Sequence, residues 1–189
     1  RMSFFRDLNL SAATAGFVAV LVGFTSSVAI VFQAAQAFGA TPNMFKAVGN
    51  SPAALQAMWS FFGALGGGSI GAKLGEQIAV AVANQNQCEY CLAAHTVLGQ
   101  KAGATAEQMA AAQLGRSTDP QTAAALAFAL KVVQDRAQIT DADVANLHEV
   151  GFQDEQVVEI LAHVALNLFT NYVNVAFDVP VDFPRVALR

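Results

Sequence analysis

The chain has 189 residues, enough for one domain with a sizeable core and too few for two ordinary ones. Charged residues make up only 13% of it, against about a quarter in typical soluble domains, while apolar residues reach 54%; much apolar surface must therefore be hidden, in an oligomer or a membrane. A net charge of −4 with no local Lys/Arg cluster gives no footprint for phosphate backbones, so nucleic acid is not expected as a partner.

From Leu8 to Phe45 no residue is charged, and the stretch from Gly16 to Phe32 is apolar all round rather than on one face. Such a run is long enough to cross a bilayer. Arg1 and Arg6 before it and Ala35-Gln36-Ala37 after it also fit a cleaved signal, although Asp7 and the length of the run argue against one. Three readings stay open: a membrane-inserted helix over residues 10–37, a buried helix at a subunit interface, and a signal. The expected organisation is a hydrophobic N-terminal helix over residues 1–40 followed by a domain over residues 41–189.

After Thr41-Pro42 the pattern changes to amphipathic helices with legible caps. Ser51-Pro52 fits N-cap followed by N1. Gly66-Gly67-Gly68 marks a break before a helix from about Ile70 to Ala83, and Asn84 to Gln87 is a polar interruption. The next helix runs from about Asn86 to Lys101 and stops at Gly103. Thr105 with Gln108 forms a capping box, Asp119-Pro120 is a second N-cap signature, and Thr140 with Asp143 a weaker third. From about Asp154 to Asp178, Val157, Ile160, Leu161, Val164, Leu168, Tyr172 and Val175 recur at helical spacing. No stretch alternates as a strand, so the expected fold is an all-α helical bundle.

Cys88, Cys91 and His95 lie on the helix after the polar break, with Cys88 in or near its first turn. Offsets of three and seven place both sulfurs and the imidazole on one face. A first-turn thiol feels the positive end of the helix dipole and an imidazole accepts a proton; both raise the thiolate fraction. Cβ atoms at i and i+3 are about 5–6 Å apart, whereas a disulfide wants about 3.5–4.5 Å, so the bond forms after a small local adjustment. Zinc is the competing use of Cys, Cys and His, but a structural site needs a fourth ligand and no second ligand pair follows; no metal or other cofactor is expected. Cys-x-x-Cys in a thioredoxin-like fold requires βαβ units that are not found here.

Glu76 stands twelve residues before Cys88, on a helix that a short connection returns to the cysteine face. Together with Pro42-Asn43-Met44-Phe45, Ser51-Pro52-Ala53-Ala54-Leu55, Gly63-Ala64-Leu65-Gly66-Gly67-Gly68-Ser69 and His163-Val164-Ala165-Leu166-Asn167, the series Glu76, Cys88, Cys91, His95 resembles the carboxymuconolactone decarboxylase superfamily, in its alkylhydroperoxidase D-like branch, over residues 37–184. Decarboxylase members lack the cysteine pair. The resemblance implies an all-α alkylhydroperoxidase D-like bundle, trimeric or hexameric and cytoplasmic. It implies reduction of hydroperoxides by a dithiol that an external dithiol reductant, such as a lipoyl or thioredoxin-like protein, restores. It also implies that Cys91 attacks the peroxide, that Cys88 closes the disulfide, and that His95 and Glu76 relay protons. Helix position alone favours Cys88 as the thiolate instead. Tyr90 stands where the best-known members carry a histidine. A lactone (de)carboxylase and a non-catalytic, redox-sensing or membrane-tethered module are the competing functions.

The segment from Phe5-Arg6-Asp7-Leu8 through Gly23-Phe24-Thr25-Ser26-Ser27 to Val31-Phe32-Gln33-Ala34-Ala35-Gln36-Ala37 resembles the first transmembrane helix of benzoate/proton symporters. Among the remaining residues, His163 reads as a hydrogen-bonded core histidine and His148 as a solvated helix C-terminal group. Trp59, Phe61 and Phe62 read as core. Asn167, Asn171 and Asn174 form a polar stripe suited to lining a cavity or to pairing across a subunit interface.

Overall fold

The computed structural model describes residues 27–37 and 39–189, so most of the long apolar run, and its resemblance to a symporter helix, lie outside the described residues. Among the described residues no helix is long and apolar enough to cross a membrane.

The described residues fall into two compact units, one ending at Trp59 and one spanning Ser60–Arg189. The first holds α1, described over residues 27–37, then α2 (Asn43–Val48) and the start of α3 (Pro52–Gly66). Ser51 caps α3 as expected, its Oγ accepting from Ala54 N–H at 3.2 Å. Phe45 is buried and meets Trp59 edge-on, with ring centroids 5.7 Å apart. Trp59 is itself only half-buried, as are Phe61 and Phe62 beyond the boundary, so the expectation of three core aromatics on α3 does not hold.

The second unit carries the rest of α3, then α4 (Ala72–Gln85), α5 (Glu89–Lys101), α6 (Ala106–Gln113), α7 (Pro120–Gln134), α8 (Asp141–Glu149) and α9 (Asp154–Ala176). Among the described residues there is no strand. Helix α4 is central and packs against α5, α6, α7 and α9. Its sequence explains this: Ile78 to Ala83 is an unbroken buried run of small and branched residues, apolar on every side. The predicted caps are present. Thr105 and Gln108 exchange hydrogen bonds at 3.0 and 3.2 Å, and Asp119 Oδ2 accepts from Thr122 N–H at 2.8 Å. At Thr140 the box is one-sided, because Asp143 Oδ2 takes both the backbone N–H and the hydroxyl of Thr140, at 2.7 and 2.8 Å.

Helix α9 departs from the predicted stripe. Val157, Ile160 and Val164 are buried as expected, but Tyr172 and Val175 are more than half exposed, and Asn167, Thr170, Asn171 and Asn174 are buried instead. The helix therefore turns an apolar face to the unit in its first half and a polar face in its second. The polar face meets α5, where the chemistry-bearing residues lie.

The glycine turn before α4 is tied to α9. Ser69 N–H donates to both oxygens of Glu159, at 2.9 and 2.8 Å, and Ile70 N–H donates to Oε2 at 3.0 Å. The Ser69 bond is the main reason why the Glu159 carboxyl is held below its ordinary pKa, against a smaller effect of burial. The sign follows directly: a depressed carboxylate contributes stability above its unfolded pKa and loses it as pH falls through the folded value. Glu159→Ala should lower the unfolding free energy by about 1 kcal/mol at neutral pH, the solvent-accessible end of the range for charged hydrogen bonds. Urea titrations at neutral and strongly acidic pH check it: the gap to the parent should close in acid, and a gap absent at neutral pH would contradict the tie.

Candidate functional site

The link between α4 and α5 sets the site. Helix α4 ends in a paired turn in which Gln87 N–H bonds Asn84 O at 3.1 Å and Cys88 N–H bonds Ala83 O at 2.9 Å. Gln87 takes the left-handed position usually given to glycine, at φ 55°. The chain reverses so tightly that Cys88, the last residue of this turn, is also the N-cap of α5. Its Sγ accepts from Cys91 N–H at 3.3 Å, satisfying one of the free donors at the start of the helix. The sequence places Cys88 in or near the first turn; the structure puts it one position before.

Cys88 and Cys91 are both free and both buried, and their sulfurs lie 2.7 Å apart, against about 2.05 Å for a formed disulfide. The shared hydrogen bond divides them electrically. The bond from Cys91 is the first cause that lowers the pKa of Cys88; burial opposes it, and the Cys91 backbone N–H and the charge on His95 add to it. Burial, first, and then the neighbouring Cys88 sulfur push the Cys91 thiol up, so of the two sulfurs Cys88 carries charge more readily.

The antiparallel return brings Glu76 of α4 to His95 of α5, with Oε2 and Nδ1 2.7 Å apart. Burial works against a charged imidazole here, but the Glu76 carboxylate, its hydrogen bond and the Cys88 charge outweigh it and raise the His95 pKa. The helices approach closely at this level: a Cβ on Gly99, one turn beyond His95, would sit 3.3 Å from Glu76 Cβ and collide with Met109. All four residues singled out from the sequence, Cys88, Cys91, His95 and Glu76, thus fall in one cluster.

A cavity of about 310 Å³ opens beside it, lined by Cys88, Tyr90, Asn174, Val179 and Leu188 among others. Cys91 is not on its wall. Tyr90 is buried and stands edge-on to Phe183 at 5.7 Å, so the ring in the place of a family histidine packs against the C-terminal tail. His163 is half-buried, and the expectation of an ordinary core histidine misses its setting. A Cβ on Gly75 would lie 2.8 Å from its Cε1, so the ring rests against bare α4 backbone next to Glu76. Burial is the main effect and lowers its pKa, against the opposing pull of Glu76 and Glu159. His148, half-exposed, pairs with Asp154 at 3.1 Å, away from the cluster.

Sequence reasoning leaves the asparagine stripe between lining a cavity and pairing across a subunit interface, and Asn174 does line the cavity. In the structure Asn174 Nδ2 donates to Cys91 Sγ at 3.1 Å, and Asn171 Oδ1 accepts from Asn86 at 3.0 Å. The available signal was the spacing itself, three amides on one face of the largely apolar second half of the helix. Among the described residues no three His, Cys, Asp or Glu side chains converge as ligands around a metal ion would.

The sequence model of the carboxymuconolactone decarboxylase family matches residues 52–135, a span that holds Glu76, both cysteines and His95. Comparison with curated proteins gives no significant match. Among solved structures, the chain is similar to a peroxidase-related protein with an alkylhydroperoxidase AhpD core from Ralstonia eutropha JMP134, at 29% identity over 80% of this chain and 83% of that one, with a TM-score of 0.70. A peroxidase-related protein from Silicibacter sp. TM1040 is 24% identical over 86% of both chains, with a TM-score of 0.73. The debrominase Bmp8 shares the fold at 22% identity, over 83% of this chain and 86% of that one, with a TM-score of 0.71. Residues 52–135 thus match the carboxymuconolactone decarboxylase family, and the helical fold with its glutamate, cysteine pair and histidine is similar to the alkylhydroperoxidase D-like, peroxidase-related proteins.

Proposed function

We propose that the chain is a thiol-dependent, peroxidase-like oxidoreductase that reduces organic hydroperoxides through Cys88 and Cys91. The observation that carries this reading is a buried dithiol with its sulfurs 2.7 Å apart, beside an imidazole and carboxylate paired at 2.7 Å. A buried thiolate next to a buried imidazolium stores one electron-rich sulfur and one mobile proton in the same pocket.

The step balances from these groups. The proton of Cys91 passes to Cys88 as the Cys91 sulfur attacks the outer peroxide oxygen; the O–O bond breaks, giving Cys91 sulfenic acid and an alcohol protonated from His95. Cys88 then attacks the Cys91 sulfur: the S–S bond forms, the S–O bond of the sulfenic acid breaks, and the proton that Cys88 had taken goes to the departing hydroxide, which leaves as water. In sum, one thiol, one thiolate, one imidazolium and one hydroperoxide give a disulfide, an alcohol, water and a neutral imidazole. Two electrons move from sulfur to oxygen, and an external dithiol returns them with two protons by exchange. Glu76 fixes the ring and stabilises its charged form. The same two electrons would serve for removing bromide from an aromatic ring, the activity in the name of Bmp8, so a brominated pyrrole is the natural comparison substrate.

The resemblance gives attack to Cys91, whereas the resting charge and the cavity wall belong to Cys88. Single variants divide the roles. Cys91→Ser should abolish hydroperoxide reduction, and Cys88→Ser should leave one thiol that accumulates as sulfenic acid or a mixed disulfide, trapped by dimedone and weighed by mass spectrometry. Reduction that survives in Cys91→Ser and vanishes in Cys88→Ser would reverse the assignment.

His95 and Glu76 should govern the pH profile. A depressed thiol pKa makes the reactive thiolate available at neutral pH and loses it as pH falls through that value. Glu76→Gln and His95→Phe should both move the onset of thiolate absorbance upward in pH, and His95→Phe should cost about 100-fold in rate at neutral pH. Profiles that superpose on the parent's would remove both residues from the chemistry.

A further inference from the structure

Three side-chain amides stand along one face of α9, and each has a buried polar atom without a partner: Asn167 Oδ1, Asn171 Nδ2 and Asn174 Oδ1. A buried amide with an unmet bond is costly, and three along one helix call for a return elsewhere. One of them reaches a sulfur, and a second stands one turn before it on the same face. Asn174 Nδ2 donates to Cys91 Sγ at 3.1 Å. The Asn171 oxygen is fixed by Asn86 Nδ2 at 3.0 Å, which holds the amide in one orientation. Asn171 acts on Cys91 in the same sense as Asn174, favouring charge on its sulfur, yet its Nδ2 makes no bond of ordinary geometry to the thiol.

A neutral thiol is a weak acceptor, while a thiolate or a sulfenate oxygen is a strong one. Donors that find little to bind in the resting state and a full acceptor in the reacting state stabilise the second relative to the first, which is what lowers a barrier. We propose that Asn174 and Asn171 form a donor pair for negative charge developing on Cys91, as its thiolate and then as its sulfenic acid. This rests on the dithiol reading given above and deepens it. It also reconciles the two sulfurs: the resting charge stays on Cys88, and the amides make its transfer to Cys91 affordable at the moment of attack. Asn174 touches a reacting atom and is the catalytic residue of the pair, while Asn171, one turn before it on the same face, holds its free donor for the charged state.

The test isolates Cys91 in a Cys88→Ser background and titrates its thiolate by ultraviolet absorbance, with no peroxide present. Adding Asn174→Leu, which keeps the volume and deletes the donor, should raise the Cys91 pKa by about 1–2 units, a 10- to 100-fold loss of thiolate at a given pH below it. Asn171→Leu should give a smaller rise. Asn167→Leu is the control, because Asn167 Nδ2 donates to His163 O at 2.8 Å rather than to a sulfur, and it should give none. No shift with Asn174→Leu, or an equal shift with Asn167→Leu, would overturn the proposal. Should Asn174→Leu fail to fold, Asn174→Ala and Asn171→Leu take its place, and an unchanged Cys91 pKa in them overturns it equally. A pKa that moves as expected in a protein that reduces no hydroperoxide would leave the donor pair standing and remove the peroxidase reading.

Discussion

The site in the second unit turns on one electrostatic constraint: charge on a buried sulfur must be stabilised out of water. An isolated buried charge costs several kcal/mol or more, and it persists only where positive charge and hydrogen-bond donors surround it. Here the Cys91 proton and backbone N–H and the His95 charge supply them to Cys88. The imidazolium is in turn possible in a buried place only because Glu76 meets it at 2.7 Å. The fold serves this triad directly. The tight turn at Gln87 makes Cys88 an N-cap, the antiparallel return sets Glu76 against His95, and the bare backbone at Gly99 lets the two helices come close enough for the pair.

The dithiol is asymmetric by construction. Cys88 sits before the first turn of α5, on the wall of the cavity, and takes donors from the helix end. Cys91 sits one turn in, off the cavity wall, and takes its donor from α9. Resting charge and attack therefore need not fall on the same atom: a proton crossing 2.7 Å exchanges the two states. Tyr90, at the position of a family histidine, packs edge-on against Phe183.

Much of this was legible in the sequence because it rests on local rules. Helix caps are written in residue pairs three apart, and Thr105 with Gln108 and Asp119 with Pro120 read correctly for that reason. The spacing of Cys88, Cys91 and His95 fixes their common face, and the glutamate twelve residues earlier is brought back by one short turn. What could not be read depends on distant packing. Tyr172 and Val175 look like core by period, yet α9 turns its asparagines inward, because the helix it meets there presents a polar, reactive sulfur rather than an apolar surface. His163 reads as core, and only the notch at Gly75 shows that its ring lies against the helix carrying Glu76.

The central claim is that the two sulfurs act as one two-electron donor. Its most direct measurement is stoichiometric: the fully reduced protein is mixed with one equivalent of tert-butyl hydroperoxide, and free thiols, alcohol and intramolecular disulfide are counted together. The account predicts that both thiols of each chain are lost for each hydroperoxide consumed, that one alcohol appears, and that Cys88 and Cys91 are found joined by mass spectrometry. Two thiols per chain still free after exposure to the hydroperoxide would contradict it.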